Sequence, residues 1–595
     1  MMKALIFWLC FVTALPLFSQ DDFLAKQYFN DGEYEKALVF YERLVAQNPR
    51  RMDFAENMVR CYQQLEAYDK AEAFLLNKIE SGSAYPTIYI ELGYNYRLQE
   101  KITQAGEYYD KALEAIETNP NYGYGIGVGF QRFALLDYAL KAYERAMELN
   151  PQLDYYFQIA LIYGEQGKIK KMFEAYLELL GNGRSTLGNV IGRISSFINE
   201  DPNNENNRLL REVALKKAQK EPAVLWNELL SWLFVQQKQY KYAFLQEKAI
   251  FKRTGEASIE RLEALGENAL ESKSLEIAIE IFRYIDKNSV DRITQLNAQL
   301  NLLDIELMSA SEKDYAGIES KYQELVSEYG YQPTTLQLQV AYANFLTFKK
   351  NESGKAIPIL KEAIDLPLTK YGEAYIKMAL GDILVFDQKF NEALIYFSQI
   401  QKNLKNDVLG QEARFKVAQT SFYKGDFDWS LTQLKVLRGS TSQLIANDAM
   451  QLSLLISDNS FEDSTQTALK KYAKADLLAY QNKNEEAISI LEEIMQQHKG
   501  EKIEDEALLK QAELFVEKGD YDSALYNYTK IVEFYGDDIL ADDAHFAMAE
   551  LFRNTLNQPE KAKYHYEKIL YNYQDSYFFP QARKNFRILR GDSIN

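Results

Sequence analysis

The sequence predicts an all-α solenoid, a row of antiparallel helix pairs stacked side by side, and three observations carry that expectation. Similar segments recur, and aligning them on the alanine after the turn gives Ala37, Ala71, Ala105 and Ala139, a step of 34 residues each time. A period of that size marks a supersecondary unit that buries its apolar face only against its neighbours. Within a segment, apolar or small residues fall three and four apart, as in Ala139, Ala142, Tyr143 and Ala146, and the run stops at Asn150-Pro151. That is a helix periodicity followed by a helix terminator. No stretch alternates apolar and polar residues for long between turn signals, so no sheet is expected.

The first regular segments are "GEYEKALVFYERLVAQNP" (32–49), "EAYDKAEAFLLNKI" (66–79), "KITQAGEYYDKALEAI" (101–116) and "ALLDYALKAYERAMELNP" (134–151). "GKIKKMFEAYLELL" continues them with Met172 at the alanine position. Regularity then lapses over 181–225, where two helices and an Asn-rich loop are expected, and returns with Ala243. Further units are keyed on Gly266 with Ala278, on Ala356, on Gly381 with Ala393, on Ala418 with Ser430 and on Ala475 with Ala487. "LIANDAMQLSLLI" reads as an extra helix, and two more units close the chain.

These residues resemble the tetratricopeptide repeat (TPR) family. Its helix–turn–helix unit carries small residues at positions 8, 20 and 27, aromatics at 11 and 24 and a proline near 32. The fourth unit offers Gly127, Phe130, Ala139, Tyr143, Ala146 and Pro151 at those places, and the third offers Gly93, Tyr96, Ala105, Tyr109 and Ala112. The resemblance implies a right-handed superhelix of about fourteen helix pairs, some degenerate. Because each repeat touches only its neighbours, one elongated array is expected rather than several globular domains. The expected organisation is a signal peptide at 1–20, a regular array at 21–180, a degenerate helical insert at 181–225, further units at 226–290, irregular helices at 291–335 and a C-terminal array at 336–595.

Gly123, Gly125, Gly127 and Gly129 invite a phosphate-loop reading, but no Lys-Ser or Lys-Thr follows and no strand precedes. In the repeat register Gly127 is the small residue at a helix crossing. The other three weaken their helix by up to ~1 kcal/mol each, so a bent or loosened helix is expected.

"MMKALIFWLCFVTALPLFSQ" has the layout of a secretory signal peptide, with cleavage expected near Ser19 or Gln20 and Cys61 left as the remaining cysteine. The residue before Cys10 is Leu9, not the small residue of a lipobox. A periplasmic, exported protein follows, with no transmembrane segment after cleavage and peripheral association with the outer membrane left open.

Catalytic chemistry is not visible. His498, His545 and His565 share no ligand spacing on one helix, so no metal and no cofactor are expected. Asp537, Asp538, Asp542 and Asp543 lack a calcium-loop pattern and read as helix N-capping and dipole compensation. Arg590-Gly591-Asp592 reads as a glycine ending the last helix. A net charge of −18 with no basic tract argues against nucleic acid.

The expected function is therefore a non-catalytic protein-binding scaffold of a bacterial cell envelope. A non-catalytic regulatory subunit of an envelope enzyme complex is the alternative. The ending "YHYEKILYNYQDSYFFPQARKNFRIL" is similar to outer-membrane assembly and Tol–Pal-associated periplasmic TPR proteins, and the whole chain resembles long TPR proteins exported by Bacteroidetes. The resemblance points toward outer-membrane or envelope assembly. Gln574 stands where those units have proline, no lipidated cysteine is evident, and this chain is longer. The carboxylate clamp of chaperone adaptors is absent from the first repeats, whose clamp places hold Asp22, Lys26, Asn57, Thr87 and Glu91, only Asn57 matching. Family groove positions 2, 5, 9, 12 and 13 map onto Arg60, Gln63, Tyr94, Arg97, Gln131 and Arg132. Arg60, Arg97 and Arg132 would form a basic line able to attract an acidic or C-terminal segment, unless they pair with neighbouring carboxylates.

Overall fold

The computed structural model describes residues 21–82, 85–439, 442–460 and 465–592. The signal-peptide segment lies outside them. Every regular element among the described residues is helical. The chain divides into two compact units, one ending at Arg253 and the other beginning at Thr254.

In the first unit the helices pair as the 34-residue step requires. Tyr34–Gln47, Met52–Gln64, Tyr68–Glu80, Thr87–Leu98, Ile102–Thr118, Tyr122–Arg132 and Leu136–Leu149 follow one another with short turns. Within a pair, the turn places one residue at positive φ: Gly32, then Glu66, Glu100 and Ala134. The N–H three residues past each helix end reaches back five residues, as in Ala67 N to Tyr62 O (2.8 Å), Lys101 N to Tyr96 O (3.0 Å) and Leu135 N to Phe130 O (3.0 Å). This is a Schellman closure, whose left-handed residue is ordinarily glycine; here the repeat geometry imposes it on larger side chains. Between pairs, Asn48, Asn119 and Asn150 leave the helix with φ of −132°, −150° and −136°. Each precedes a proline, which disfavours helical backbone before it.

The alanines that set the register are all sealed: Ala37, Ala71, Ala105 and Ala139 lie at 0–2% exposure. The four alternate glycines have a physical account. The Tyr122–Arg132 helix runs uninterrupted through all four glycines. A Cβ on Gly123 would stand 2.2 Å from Ala146 Cβ, and one on Gly127 would stand 2.3 Å from the Tyr143 ring. Cβ atoms on Gly125 and Gly129 would stand 2.8 Å from Tyr85 and from Ile90. One i,i+4 pair thus opens the face toward its own second helix, the other toward the preceding repeat. Close packing on both sides offsets the propensity cost. Beyond this array the first unit continues through Leu187–Ile194 and Glu205–Lys220 to Val224–Gln236 and Tyr240–Thr254.

The second unit repeats the device. Gly266 faces Phe282 and Gly381 faces Phe397, at 2.7 and 2.4 Å from the hypothetical Cβ. Around its interposed helix it departs from a strictly nearest-neighbour stack. The helix Gln443–Ser460 is interposed before Thr467–Tyr480, and the residues ending the latter reach far back along the chain. The Tyr480 hydroxyl donates to Asp382 O (3.1 Å), Gln481 Nε2 to Phe386 O (2.6 Å) and Asn482 Nδ2 to Phe348 O (3.0 Å). Phe386 ends a helix whose Ile383, Leu384 and Val385 carbonyls accept from the following turn, and Gln481 caps the remaining Phe386 carbonyl from 95 residues away. The expectation that each repeat touches only its neighbours fails here.

At the C-terminal end, Asp542 and Asp543 lie in the first turn of Ala541–Asn554, where the helix dipole favours them. The N-cap is Leu540, without a side-chain cap bond, so the expected aspartate cap is not formed. Gly591 ends the last helix at φ 88°.

Candidate functional site

The first helices of successive pairs in the first unit, Met52–Gln64, Thr87–Leu98, Tyr122–Arg132 and Tyr156–Glu165, carry the groove positions. The six residues expected there meet different fates. Gln63 is buried with its Nε2 unpartnered, so it offers little surface. Tyr94 stacks on Phe133 at 4.1 Å. Gln131 accepts a hydrogen bond from the Tyr143 hydroxyl (2.7 Å). Arg132 Nη1 donates to Glu56 Oε2 (2.6 Å) and to Glu91 Oε1 (3.3 Å). Arg132 thereby links three successive repeats, and its charge is spent inside the protein, as in the carboxylate-pairing alternative. Among the described residues Arg60 and Arg97 have no ion-pair partner; Arg97 is exposed. The basic line is thus reduced from three charges to two.

Glu91 is the residue around which this face is organised. Its carboxyl is almost fully buried, one oxygen has no partner, and desolvation, with Glu56 adding repulsion, pushes its pKa up to about 7. Arg60 and Arg132 pull in the opposite direction. A buried carboxyl held this way is part proton, part charge near neutrality.

The polar positions singled out above overlook the apolar ones on the same face. Tyr124, Val128 and Leu161 are 50%, 36% and 39% exposed. Tyr124 and Val128 lie one turn apart on Tyr122–Arg132, and Leu161 takes the place of Val128 in the next repeat. Phe157, one turn before Leu161, is half-buried and lies under the Arg193 guanidinium at 5.3 Å. The repeat register, with Tyr124 at position 5 and Val128 at position 9 of the fourth unit, places both on this face.

Two of the histidines, which share no ligand spacing on one helix, meet across two helices. His545 and His565 lie on facing helices with their Nδ1 atoms 2.9 Å apart. Desolvation, with Lys568 adding repulsion, lowers both to about 4. They form a neutral, hydrogen-bonded pair. No group of three potential metal-ligating side chains gathers among the described residues.

Comparison with known proteins identifies tetratricopeptide repeats at residues 28–77, 86–119, 153–181, 472–539 and 543–576. A 125-residue stretch is 26% identical to the general transcriptional corepressor trfA of Dictyostelium discoideum, covering 21% of this chain and 9% of that protein. Among solved structures, one described as Naa15/Naa10 bound to HypK-THB aligns over 96% of both chains with 12% identity and a TM-score of 0.24.

Proposed function

Starting from a chain that carries tetratricopeptide repeats, we propose that it is a non-catalytic scaffold of a bacterial cell envelope that holds a partner protein on the inner face of repeats two to five. The carrying observation is the exposed strip Tyr124–Val128–Leu161, lying in groove positions of an array that seals its other repeat-defining side chains. Exposed apolar side chains contiguous on a concave face supply the association energy that isolated surface residues do not. The adjoining charges are Arg97 and Arg60, neither ion-paired, within a protein of net charge −18. The partner segment that fits is apolar with acidic flanks, since charge complementarity chooses between partners even where it adds little affinity.

The envelope assignment rests on the Met1–Gln20 layout, and the role in outer-membrane or envelope assembly rests on the resemblance of the C-terminal repeats. No helix among the described residues is long and apolar enough to cross a membrane. Fractionation with N-terminal sequencing should find the protein in the periplasmic fraction beginning near Gln20 or Asp21; Met1 retained on a cytosolic protein contradicts the compartment. For the binding face, the chain from Asp21 is immobilised and the retained envelope protein identified. The Tyr124→Ser/Val128→Ser/Leu161→Ser variant should keep its helical content and melting temperature and lose that protein. Undiminished retention would remove the site from this face.

A further inference from the structure

The second unit contains a concave surface of different chemistry. Two cavities of about 430 and 380 Å³ adjoin, sharing Asn297, Asn301 and Gln337 in their linings. Their walls come from six α-helices, Ile259–Glu271, Leu275–Asn288, Arg292–Ser309, Tyr315–Tyr329, Leu336–Asn344 and Lys370–Phe386, and from the π-helical turn Phe345–Lys349. Four carboxamides, those of Asn297, Asn301, Gln337 and Asn344, line this trough. Apart from an Asn301 Nδ2 bond to the Asn297 backbone carbonyl (3.0 Å), none of the four has a hydrogen-bond partner among the described residues.

The acids of the trough are equally unengaged. Glu263, Glu267 and Asp304 have no ion-pair partner among the described residues. Desolvation raises the pKa of Glu263 and Asp304, and the other groups acting on Glu263 are the carboxylates of Glu267, Glu260, Asp291 and Glu256. The cation in the lining is Lys349, at the end of a five-residue π-helical turn.

We propose that this trough binds an extended, basic segment of a partner protein, reading its backbone with the carboxamides and its side chains with the carboxylates. A carboxamide presents a donor and an acceptor in one plane and so matches a peptide unit, which offers the complementary two. Asn297 and Asn301, one helical turn apart, have Cβ atoms separated by about 6 Å. An extended chain brings backbone groups to the same side every two residues, or about 6.6 Å. The two repeats match closely enough for consecutive amides to engage alternate peptide units. A helical ligand would bury its backbone groups internally and leave the carboxamides unsatisfied. Glu263, Glu267 and Asp304 favour a Lys- or Arg-bearing segment by charge. This surface is separate from the apolar strip of the first unit, so the inference does not depend on it.

The probe is a fluorescent twelve-residue peptide of alternating Lys and Thr, titrated into the full chain at moderate salt. Comparison peptides are the same sequence with alternate backbone nitrogens methylated and its Glu-Thr counterpart. Asn297→Ala/Asn301→Ala/Asn344→Ala should weaken binding of the Lys-Thr peptide at least tenfold with unchanged circular dichroism, and methylation of the peptide should weaken binding to the wild type equally. Glu263→Gln/Glu267→Gln/Asp304→Asn should also weaken it. Glu107→Gln/Asp110→Asn/Glu114→Gln, which removes the same charge from exposed positions of Ile102–Thr118, should not, and the Glu-Thr peptide should not bind. Equal binding of methylated and unmethylated peptides, or an equal loss from the Ile102–Thr118 substitutions, would reduce the effect to unspecific charge attraction and overturn the proposal.

Discussion

Two inner faces built from the same repeat solve the same charge problem with opposite signs. In the first unit Arg60 follows the buried Val59, and Glu91, two residues before Gly93 in the next repeat, lies within its field. In the second unit Asp382 follows Gly381 and pairs with Lys416, two residues before Ala418, at 2.9 Å. Asp476 follows Ala475 and pairs with Lys510, two residues before Ala512, again at 2.9 Å. The helix crossing fixes which positions meet, and the side chains placed there are free to vary. In both regions the buried register is structural, and the inner-face lining varies: Tyr124, Val128 and Leu161 line the partner face proposed for the first unit, Asn297, Asn301 and Asn344 the one proposed for the second.

The shared register is broken most severely at the glycines. Gly127→Val and Gly381→Val drive side-chain atoms into the Tyr143 and Phe397 rings, and each should cost about 3 kcal/mol, at the upper end of overpacking effects. Ala139→Leu, at a fully buried crossing, should cost about 1–3 kcal/mol. Gly188→Ala, in the helix Leu187–Ile194 with nothing within 4 Å of the added Cβ, should instead stabilise by up to about 1 kcal/mol. Urea unfolding of the four variants checks the contrast. Equal effects at Gly127 and Gly188 would mean that the crossing geometry is not what fixes the register.

How this was written in the sequence differs from element to element. Ala37, Ala71, Ala105 and Ala139 were readable because one small residue per repeat is the condition for two helices to cross closely, and it repeats at a constant step. Gly125 and Gly129 were not, because their partners, Tyr85 and Ile90, belong to the preceding repeat and only packing brings them together. For Arg132 the sequence allowed pairing with a carboxylate but not which one: it reaches Glu56 across 76 residues of chain. The Tyr480–Asn482 cap likewise rests on partners 95–134 residues distant, which no local pattern announces.

Buried titratable groups make the two units respond to pH with opposite signs. Glu91 is raised from 4.5 to about 7 in the folded protein. The folded state therefore holds that proton more tightly, and stability falls as pH rises from about 4.5 to 7. His545 and His565 are lowered from 6.5 to about 4. Their contribution is complete above 6.5 and is lost as pH falls toward 4, because the unfolded chain takes up those protons first. Hydrogen exchange of Thr87–Leu98 should quicken between pH 5 and 8 in the wild type, after correction for intrinsic rates, and not in Glu91→Gln. Exchange of Ala541–Asn554 should quicken below pH 6, and not in a His545→Phe/His565→Phe variant. Identical pH slopes in the two helices would contradict the assignment.

The smallest expected effect lies in the turns. Ala134 holds φ at 54° in the Schellman closure of the fourth repeat. Ala134→Gly relieves that strain and should stabilise by about 1 kcal/mol. Applied to Gly425, already glycine at φ 81° in the second unit, the reverse change Gly425→Ala should destabilise by a similar amount. Thermal unfolding of the pair checks both signs together.

On the proposals above, the two inner faces receive chemically different partner segments. A photo-reactive residue placed at Val128 in one preparation, at Asn301 in another and at the exposed Lys111 in a third, followed by sequencing of the peptides cross-linked in envelope extract, tests it most directly. The expected result is an apolar segment with acidic flanks at Val128, a basic and extended segment at Asn301, and neither at Lys111. Recovery of the same peptides from all three positions would contradict it.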